Sequence, residues 1–393
     1  MPALTIVISG MISADPYQGG ATWAVLQYVL GLRALGHRVL LIEPIDPARI
    51  QPTGAALCDS VNAGYFRQVV SDFGLDDWGA LLLAGSRSTF GISYERVCDV
   101  AGEADLLINI SGMLADERLL QKIPVRVYLD LDPAFIQVWH AQGIDMRFGG
   151  HTHFVTIGQA IGQPDCPVPT CGQSWITTPQ PIVLDYWPVA DRIVYDGLTT
   201  IGNWRGYGSV EHQGVFYGQK AHSLRTYMTI PRLTEEKFLP ALSIHPGEIA
   251  DLAALAENGW QLLDPARVAA TPADYQRFIQ GSKAEFAIAK GGYVASGCGW
   301  FSDRSICYLA SGRPVIAQET GFSRFLPAGS GLFAFSNPAE VLAAIVEMNR
   351  DYANHSRSAR RLAEAHFDSE KVLSQLLRNL GLAEAPAAPR DAS

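Results

Sequence analysis

The chain is predicted to fold as two doubly wound α/β domains facing a cleft, and three observations carry that expectation. Its 393 residues exceed what one hydrophobic core usually organises. Short apolar runs ending in Gly, Ser or Asp alternate along its length with segments of helical periodicity. Loops of small residues lead into helices at 10–20 and at 297–305, where free backbone N–H groups and the positive dipole end offer a seat for a phosphate.

Residues 4–9 form a strand-type apolar run, followed by the loop GMISADPYQGG. Beyond it Trp23, Leu26, Gln27, Leu30 and Ala34 recur at helical spacing, Gly36 stops the helix, and 39–42 is a second strand. Strand, glycine loop, helix and strand make the first unit of a doubly wound sheet. The runs 105–110, 124–131 and 153–157 read as further parallel strands buried on both faces. Residues 163–188, rich in Pro, Thr and Cys without a period, read as connections. A new alternation follows: a strand at 198–204, a polar loop, a helix from 221, a strand at 239–244, a helix at 251–259, apolar runs at 260–263 and 286–289, and a last strand at 314–317. Helices at 337–348 and 356–382 close it. The expected division is a first domain at 1–190, a second at 191–382 and a disordered tail at 383–393.

Composition narrows the partners. With 48% apolar and 18% charged residues the chain reads as a soluble globular protein. Thirty Lys and Arg against 39 Asp and Glu give a net charge of −9, and no basic cluster interleaves with aromatics, so nucleic acid is not an expected partner. The start MPALTIVISG lacks a basic n-region, and no run approaches the roughly 18 to 20 apolar residues of a spanning helix, which points to the cytoplasm. Six cysteines are scattered without zinc-type pairing; Cys166 and Cys171, the closest pair, read as reduced thiols, and no bound metal is expected.

The densest stretch is 296–323, SGCGWFSDRSICYLASGRPVIAQETGFS. Its half-motif YLASGRPVIA resembles the EAMACGTPVIA type of sequence in the C-terminal domain of two-domain Rossmann-like (GT-B) glycosyltransferases, in particular the group 1 or family 4-like enzymes that use nucleotide sugars. GCGWFS is similar to the plant-type HCGWNS loop, with a spacing to the Gly-x-Pro two residues longer. The resemblance implies transfer of a sugar from a nucleotide-diphospho-sugar, with UDP, GDP and dTDP donors all compatible, to an acceptor that is a small molecule or a glycan. It implies a first domain that binds the acceptor, a second that binds the donor, and no bound cofactor or metal. A nucleotide-sugar epimerase, a sugar phosphorylase and a catalytically silent nucleotide-sugar-binding protein are the alternatives on the same scaffold.

The same resemblance assigns candidate residues. An arginine and a lysine after the second domain's first strand would face the pyrophosphate, here Arg205 and Lys220, stabilising the leaving charge. Ser302 is placed to cap the next helix, so that the N–H groups of Asp303, Arg304 and Ser305 point at an anion, with Arg304 adding a charged contact. Val268 in DPARVAATP would meet the base, and Glu319, Thr320 and Gly321 in ETGF the donor sugar. Aligned on Gly312 and Pro314, the family glutamate that holds the ribose falls on Cys307, which passes that work to Asp303 or Ser305. In the first domain, Gly19 and Gly20 permit close backbone approach to the diphosphate, and Asp15 lies in the same loop as a catalytic candidate. The candidate general bases are Asp132 in YLDLDPAFIQVWH and His151 in GGHTHF. An inverting transfer needs such a base, whereas a retaining one needs none in that position.

Overall fold

The structure, a computed structural model, describes residues 3–383. The tail expected at 383–393 lies, beyond its first residue, outside the described residues. Fifteen strands are assigned among them, in two parallel sheets and a small hairpin.

The first sheet is built from β1 (Thr5–Ser9), β2 (Arg38–Ile45), β3 (Gly79–Leu83), β4 (Thr89–Gly91), β5 (Leu106–Ile110), β6 (Val125–Asp130), β7 (His153–Thr156) and β8 (Trp175–Thr177). Its order is β4-β3-β2-β1-β5-β6-β7-β8, parallel throughout except for the β3–β4 pair. Every residue of β1 and β5 is buried, which is why these strands are continuous apolar runs: helices cover both faces. The second sheet takes β9 (Tyr195–Asn203), β12 (Phe238–Ser243), β13 (Ser282–Ala287), β14 (Val315–Gln318) and β15 (Leu332–Phe335) in the parallel order β12-β9-β13-β14-β15. The strands between β9 and β12, β10 (Val210–His212) and β11 (Val215–Tyr217), form a separate antiparallel hairpin. The run 260–263 contributes only a single bridge, Leu263 to Ala241, in place of a strand.

In each sheet the first strand lies between neighbours reached in opposite directions: β1 between β2 and β5, β9 between β12 and β13. Such switch points open a crevice at the strands' carboxyl ends. The two crevices face each other because the sheets share a core and direct bonds. Trp23 Nε1 in the Gly19–Ala34 helix donates to Pro272 O at 2.9 Å, Ala160 N to Cys298 O at 3.0 Å, and Gln180 Nε2 to Phe301 O at 3.0 Å. The closing segment is two helices, Tyr352–His366 and Ser369–Asn379, broken where Phe367 O accepts from Ile182 N. The first packs on the Asp303–Ala310 helix and the second returns to the Gly19–Ala34 helix of the first sheet. None of the described helices is long and apolar enough to cross a membrane.

Candidate active site

Two lobes of about 410 and 420 Å3 open between the sheets and share Gly202, Asn203, Asp303 and Arg304. The first is bounded by Tyr17, Gly19 and Gly20 after β1 and by Pro265, Ala266 and Ala269 opposite. The second is bounded by Asp132, Tyr207, Lys220, Lys290, Trp300 and Ser302. Gly202 and Asn203 end β9 and Lys290 follows β13, so the cavity occupies the second sheet's switch point.

The Asp303–Ala310 helix aims its first turn at the junction of the lobes. The cap expected of Ser302 is not made: the residue has the extended N-cap backbone, but its hydroxyl turns to Asp303 Oδ1 at 3.4 Å. Among the described residues the amides of Asp303 and Ser305 find no acceptor, leaving donors at a positive dipole end. The Asp303 carboxylate borders both lobes, and burial raises its pKa. Arg304 is largely committed: its guanidinium pairs with fully buried Glu285 in β13 and Nη1 donates to Ile201 O at 2.8 Å, while Nη2 has no partner. Ser305 is buried, its hydroxyl also unpartnered, and it borders neither lobe.

Lys220 opens the Lys220–Arg225 helix, whose start is tied to the end of β9 by Ala221 N donating to Trp204 O at 3.1 Å. Its ammonium rests on Gly202, where an added Cβ would lie 2.6 Å from Nζ, so only glycine leaves it room. Among the described residues it has no hydrogen-bond acceptor or ion-pair partner. Burial first, and the Arg304 charge second, hold its pKa well below the 10.5 of ordinary lysine.

Across the second lobe, β6 ends in Asp130, whose buried carboxylate accepts from Asp132 N at 2.8 Å, Gln137 Nε2 at 2.7 Å and Thr156 Oγ1 at 2.8 Å. Burial pushes its pKa up to about 6. Gln137 Oε1 accepts in turn from Ala134 N, holding Ala134 at φ 72°, ψ −49°, a strained backbone for a residue with a Cβ. The turn so fixed aims Asp132 at the opposite wall. Lys290 Nζ lies 3.1 Å from each of its oxygens, and the hydroxyls of Tyr207 and Tyr293 donate one to each. The ammonium also sits 4.0 Å from the Tyr207 ring centroid. Burial raises the Asp132 pKa against the pull of Lys290, and lowers that of Lys290. With two donors on each oxygen, Asp132 has no free site for an acceptor's proton, so its geometry is that of an anchor between the two sheets rather than of a general base.

The other expected residues lie apart from the lobes. Arg205 pairs with Glu248 near the surface, and the β10–β11 hairpin separates it from Lys220. Val268 packs into the core while its neighbours Ala266 and Ala269 face the first lobe. Glu319 Oε1 accepts from the amides of its own turn, Thr320 at 3.0 Å and Gly321 at 2.6 Å, and the Thr320 hydroxyl donates to Trp300 O. That turn therefore props the 297–300 loop instead of reaching the cavity. His151 stands in a separate hollow of about 740 Å3 on the first sheet, where Nε2 accepts from Asn109 Nδ2 at 3.0 Å and Nδ1 donates to Phe148 O at 3.2 Å. Both nitrogens are engaged by the neutral ring, whose pKa burial lowers. Asp15 is exposed and borders neither lobe. Gly19 and Gly20 do border the first, but their size serves the other sheet's approach: Gly19 N donates to Ala269 O at 3.0 Å, and a Cβ on Gly20 would lie 2.8 Å from the Tyr275 ring. Cys307, at the position of the family glutamate, is buried in the core.

Sequence reasoning missed Lys290, Tyr207 and Trp300. Lys290 did leave a signal, a lone charge directly after a buried strand and before two glycines.

No family model matches the sequence, and no curated protein matches it. Solved structures do. The chain is similar to an alpha-glucosyltransferase in complex with UDP-glucose and DNA containing an abasic site, at TM-score 0.61 and 12% identity over 96% of this chain and 100% of that one. It is similar to a glycosyltransferase from Rickettsia africae ESF-5, at TM-score 0.55 and 13% identity over 97% and 98% of the two chains. It is also similar to Anabaena Alr3699/HepE in complex with UDP and glucose, at TM-score 0.57 and 11% identity over 97% and 100%. The expected two-sheet architecture, GT-B, is therefore the fold of this chain.

Proposed function

We propose that the protein is a glycosyltransferase that moves a sugar from a nucleotide-diphospho-sugar, UDP-linked in the first instance, to a small-molecule or glycan acceptor without a bound metal. The observation that carries the reading is Lys220: a half-buried lysine facing the cleft without an ion-pair partner among the described residues, beside an uncapped helix N-terminus, at the switch point of a doubly wound sheet. A partly desolvated charge without an ion-pair partner is held at a cost that a bound anion lowers. A diphosphate supplies that anion, and the fold shared with UDP-bound glycosyltransferases supports the choice.

In this reading the donor lies along both lobes. The nucleoside occupies the first, the diphosphate the junction at Lys220 and the free amide of Asp303, and the sugar the second. Asp303, between the lobes, takes the ribose hydroxyls, which buried Cys307 does not reach. When the bond from anomeric carbon to phosphate oxygen breaks, its electron pair leaves on the diphosphate, whose growing charge Lys220 and the helix dipole stabilise. The acceptor oxygen forms the new bond and its proton passes to the departing phosphate oxygen. No protein base is needed for that route, which suits a cleft whose expected base, Asp132, is engaged by three side chains. A retaining outcome follows. The net charge of −9 argues against a DNA acceptor such as the alpha-glucosyltransferase was solved with.

The same saturated Asp132 favours one second reading, a nucleotide-sugar-binding protein without turnover. Calorimetry with UDP, GDP and dTDP, followed by UDP-sugar consumption with and without candidate acceptors, tests both. Failure of all three nucleotides to bind overturns the proposal; binding without consumption under any acceptor leaves the silent binder.

A further inference from the structure

The loop after β1 is anchored on both sides of Tyr17. Ser13 N, Ala14 N and Ser13 Oγ donate to the fully buried Glu43 carboxylate in β2, Asn62 Nδ2 donates to Ser13 O, and Gly19 N donates to Ala269 O. Tyr17, in the middle of this frame, is 49% exposed and holds φ at +63°, a left-handed backbone unusual for a bulky side chain. Its ring is not loose: it lies 5.0 Å from the ring of Tyr65, whose hydroxyl meets Thr22 Oγ1 at 2.9 Å and donates to Ala270 O at 3.4 Å. An aromatic ring is thus held partly in solvent, with its own phenol given no partner among the described residues, on one wall of the first lobe. The same lobe, about 410 Å3 in all, is lined from the second sheet's side by Pro265, Ala266 and Ala269, small apolar groups.

We infer that Tyr17 is the stacking residue for the donor's nucleobase, closing on it from the first sheet while the Pro265–Ala269 wall backs it from the second. The inference rests on the donor reading above and deepens it by naming a residue that grips the nucleoside. A planar base fits between a ring and a flat apolar wall, and stacking accepts any base because each presents a π-face. It also adds a second hold on the nucleoside end when Cys307 faces the core: an aromatic on the first sheet takes the base, beside Asp303, which takes the ribose from the second. Nucleoside binding then links both halves of the molecule, since Tyr17 belongs to one and the backing wall to the other.

The test is calorimetry with two probes, UDP and inorganic pyrophosphate, on the wild-type chain, Tyr17→Ala and Tyr17→Phe. Tyr17 is on the surface, so neither variant removes core packing, and a melting curve checks that each is folded. The expected result is that Tyr17→Ala weakens UDP binding by about fivefold to a hundredfold, the range for losing one base–aromatic stack, while Tyr17→Phe stays within about twofold of wild type. Pyrophosphate, which has no base, binds all three equally. Unchanged UDP affinity in Tyr17→Ala overturns the inference, and so does an equal loss for UDP and pyrophosphate, which makes Tyr17 a support for the loop alone. If the wild type binds pyrophosphate but UDP no better, the base has no grip at all and the inference fails while the anion site stands. If the wild type binds neither, the donor reading itself has failed.

Discussion

Replacing Lys220 with Met tests the anion site, because two effects of opposite sign follow from one change. Methionine keeps much of the lysine's length against Gly202 but removes the ammonium. In the ligand-free protein nothing is stranded, since Lys220 has no acceptor among the described residues, so the folded state keeps its stability or gains some as an enclosed charge disappears. Bound diphosphate loses its charged hydrogen bond, worth about 1.5–3 kcal/mol, which raises the UDP dissociation constant about ten- to 150-fold. The lowered pKa adds a pH signature. Burial and Arg304 hold the amine below its ordinary 10.5, and an anion restores it, so UDP binding takes up a proton and wild-type affinity falls as pH rises above the lowered value. For folding, the unfolded chain binds the extra proton between that lowered value and 10.5, so wild-type stability rises with pH through this window. Both slopes disappear in Lys220→Met. Calorimetry from pH 6.5 to 9.5, paired with thermal melts, reads all of this. Equal UDP affinity in a folded Lys220→Met refutes the reasoning, as does a loss of affinity that only tracks a loss of stability.

Three further outcomes are expected. In a double-mutant cycle, Asp132→Asn and Lys290→Met each destabilise by about 2 kcal/mol, below the range for a fully buried pair because both side chains keep some exposure, and the double variant loses clearly less than their sum. Urea denaturation measures it, and an Asp132→Asn that keeps full stability but loses turnover would restore Asp132 as the base. Asp303→Asn narrows the affinity gap between UDP and its 2′-deoxy analogue in competition calorimetry, whereas an unchanged gap removes Asp303 from the ribose. Glu43, pushed by burial up to about 7 from 4.5 against the hydrogen bonds from Ser13 and Ala14, keeps its proton in the folded state to a higher pH than in the unfolded chain. Stability from this group therefore falls by about 3 kcal/mol as pH rises between those values, a slope absent from Glu43→Gln in pH-resolved denaturation.

The fold was legible at most strands buried on both faces, although β3 and β15, also largely buried, were not read. Strands β1, β2, β5, β6, β7, β9, β12 and β14 coincide with apolar runs, because covering helices leave such strands no polar side. Strand β8 escaped notice because Trp175–Thr177 is an edge strand of partly buried residues inside a Pro- and Thr-rich stretch. The site was legible as loops and not as partners. Asp303, Arg304 and Gly20 were picked from glycine loops and helix starts and Lys220 from the family resemblance, all of them local patterns, and all four border the cleft. Arg205 was picked by the same local pattern but sits beyond the β10–β11 hairpin, whose strands of three residues leave little periodicity to read. The engagement of Asp132 by Lys290 involves residues 158 positions apart, which no local pattern carries.

The adjacency of Arg304 and Lys220 shows why one type of substitution means different things at neighbouring cations. Arg304 neutralises Glu285, which is fully buried on β13 and whose Oε2 has no hydrogen-bond partner among the described residues. Arg304→Ala therefore leaves a carboxylate uncompensated in the core, a cost of about 3–5 kcal/mol, so weakened nucleotide binding in that variant reports damage to the second sheet before it reports a lost phosphate contact. Lys220 feels Glu285 and Asp303 only at a distance and makes no ion pair or hydrogen bond among the described residues, so its removal leaves no direct partner stranded. A sequence pattern that nominates both residues as phosphate ligands treats them alike. The structure separates them by what each already holds, and only the one with empty hands can be removed to ask what comes to fill them.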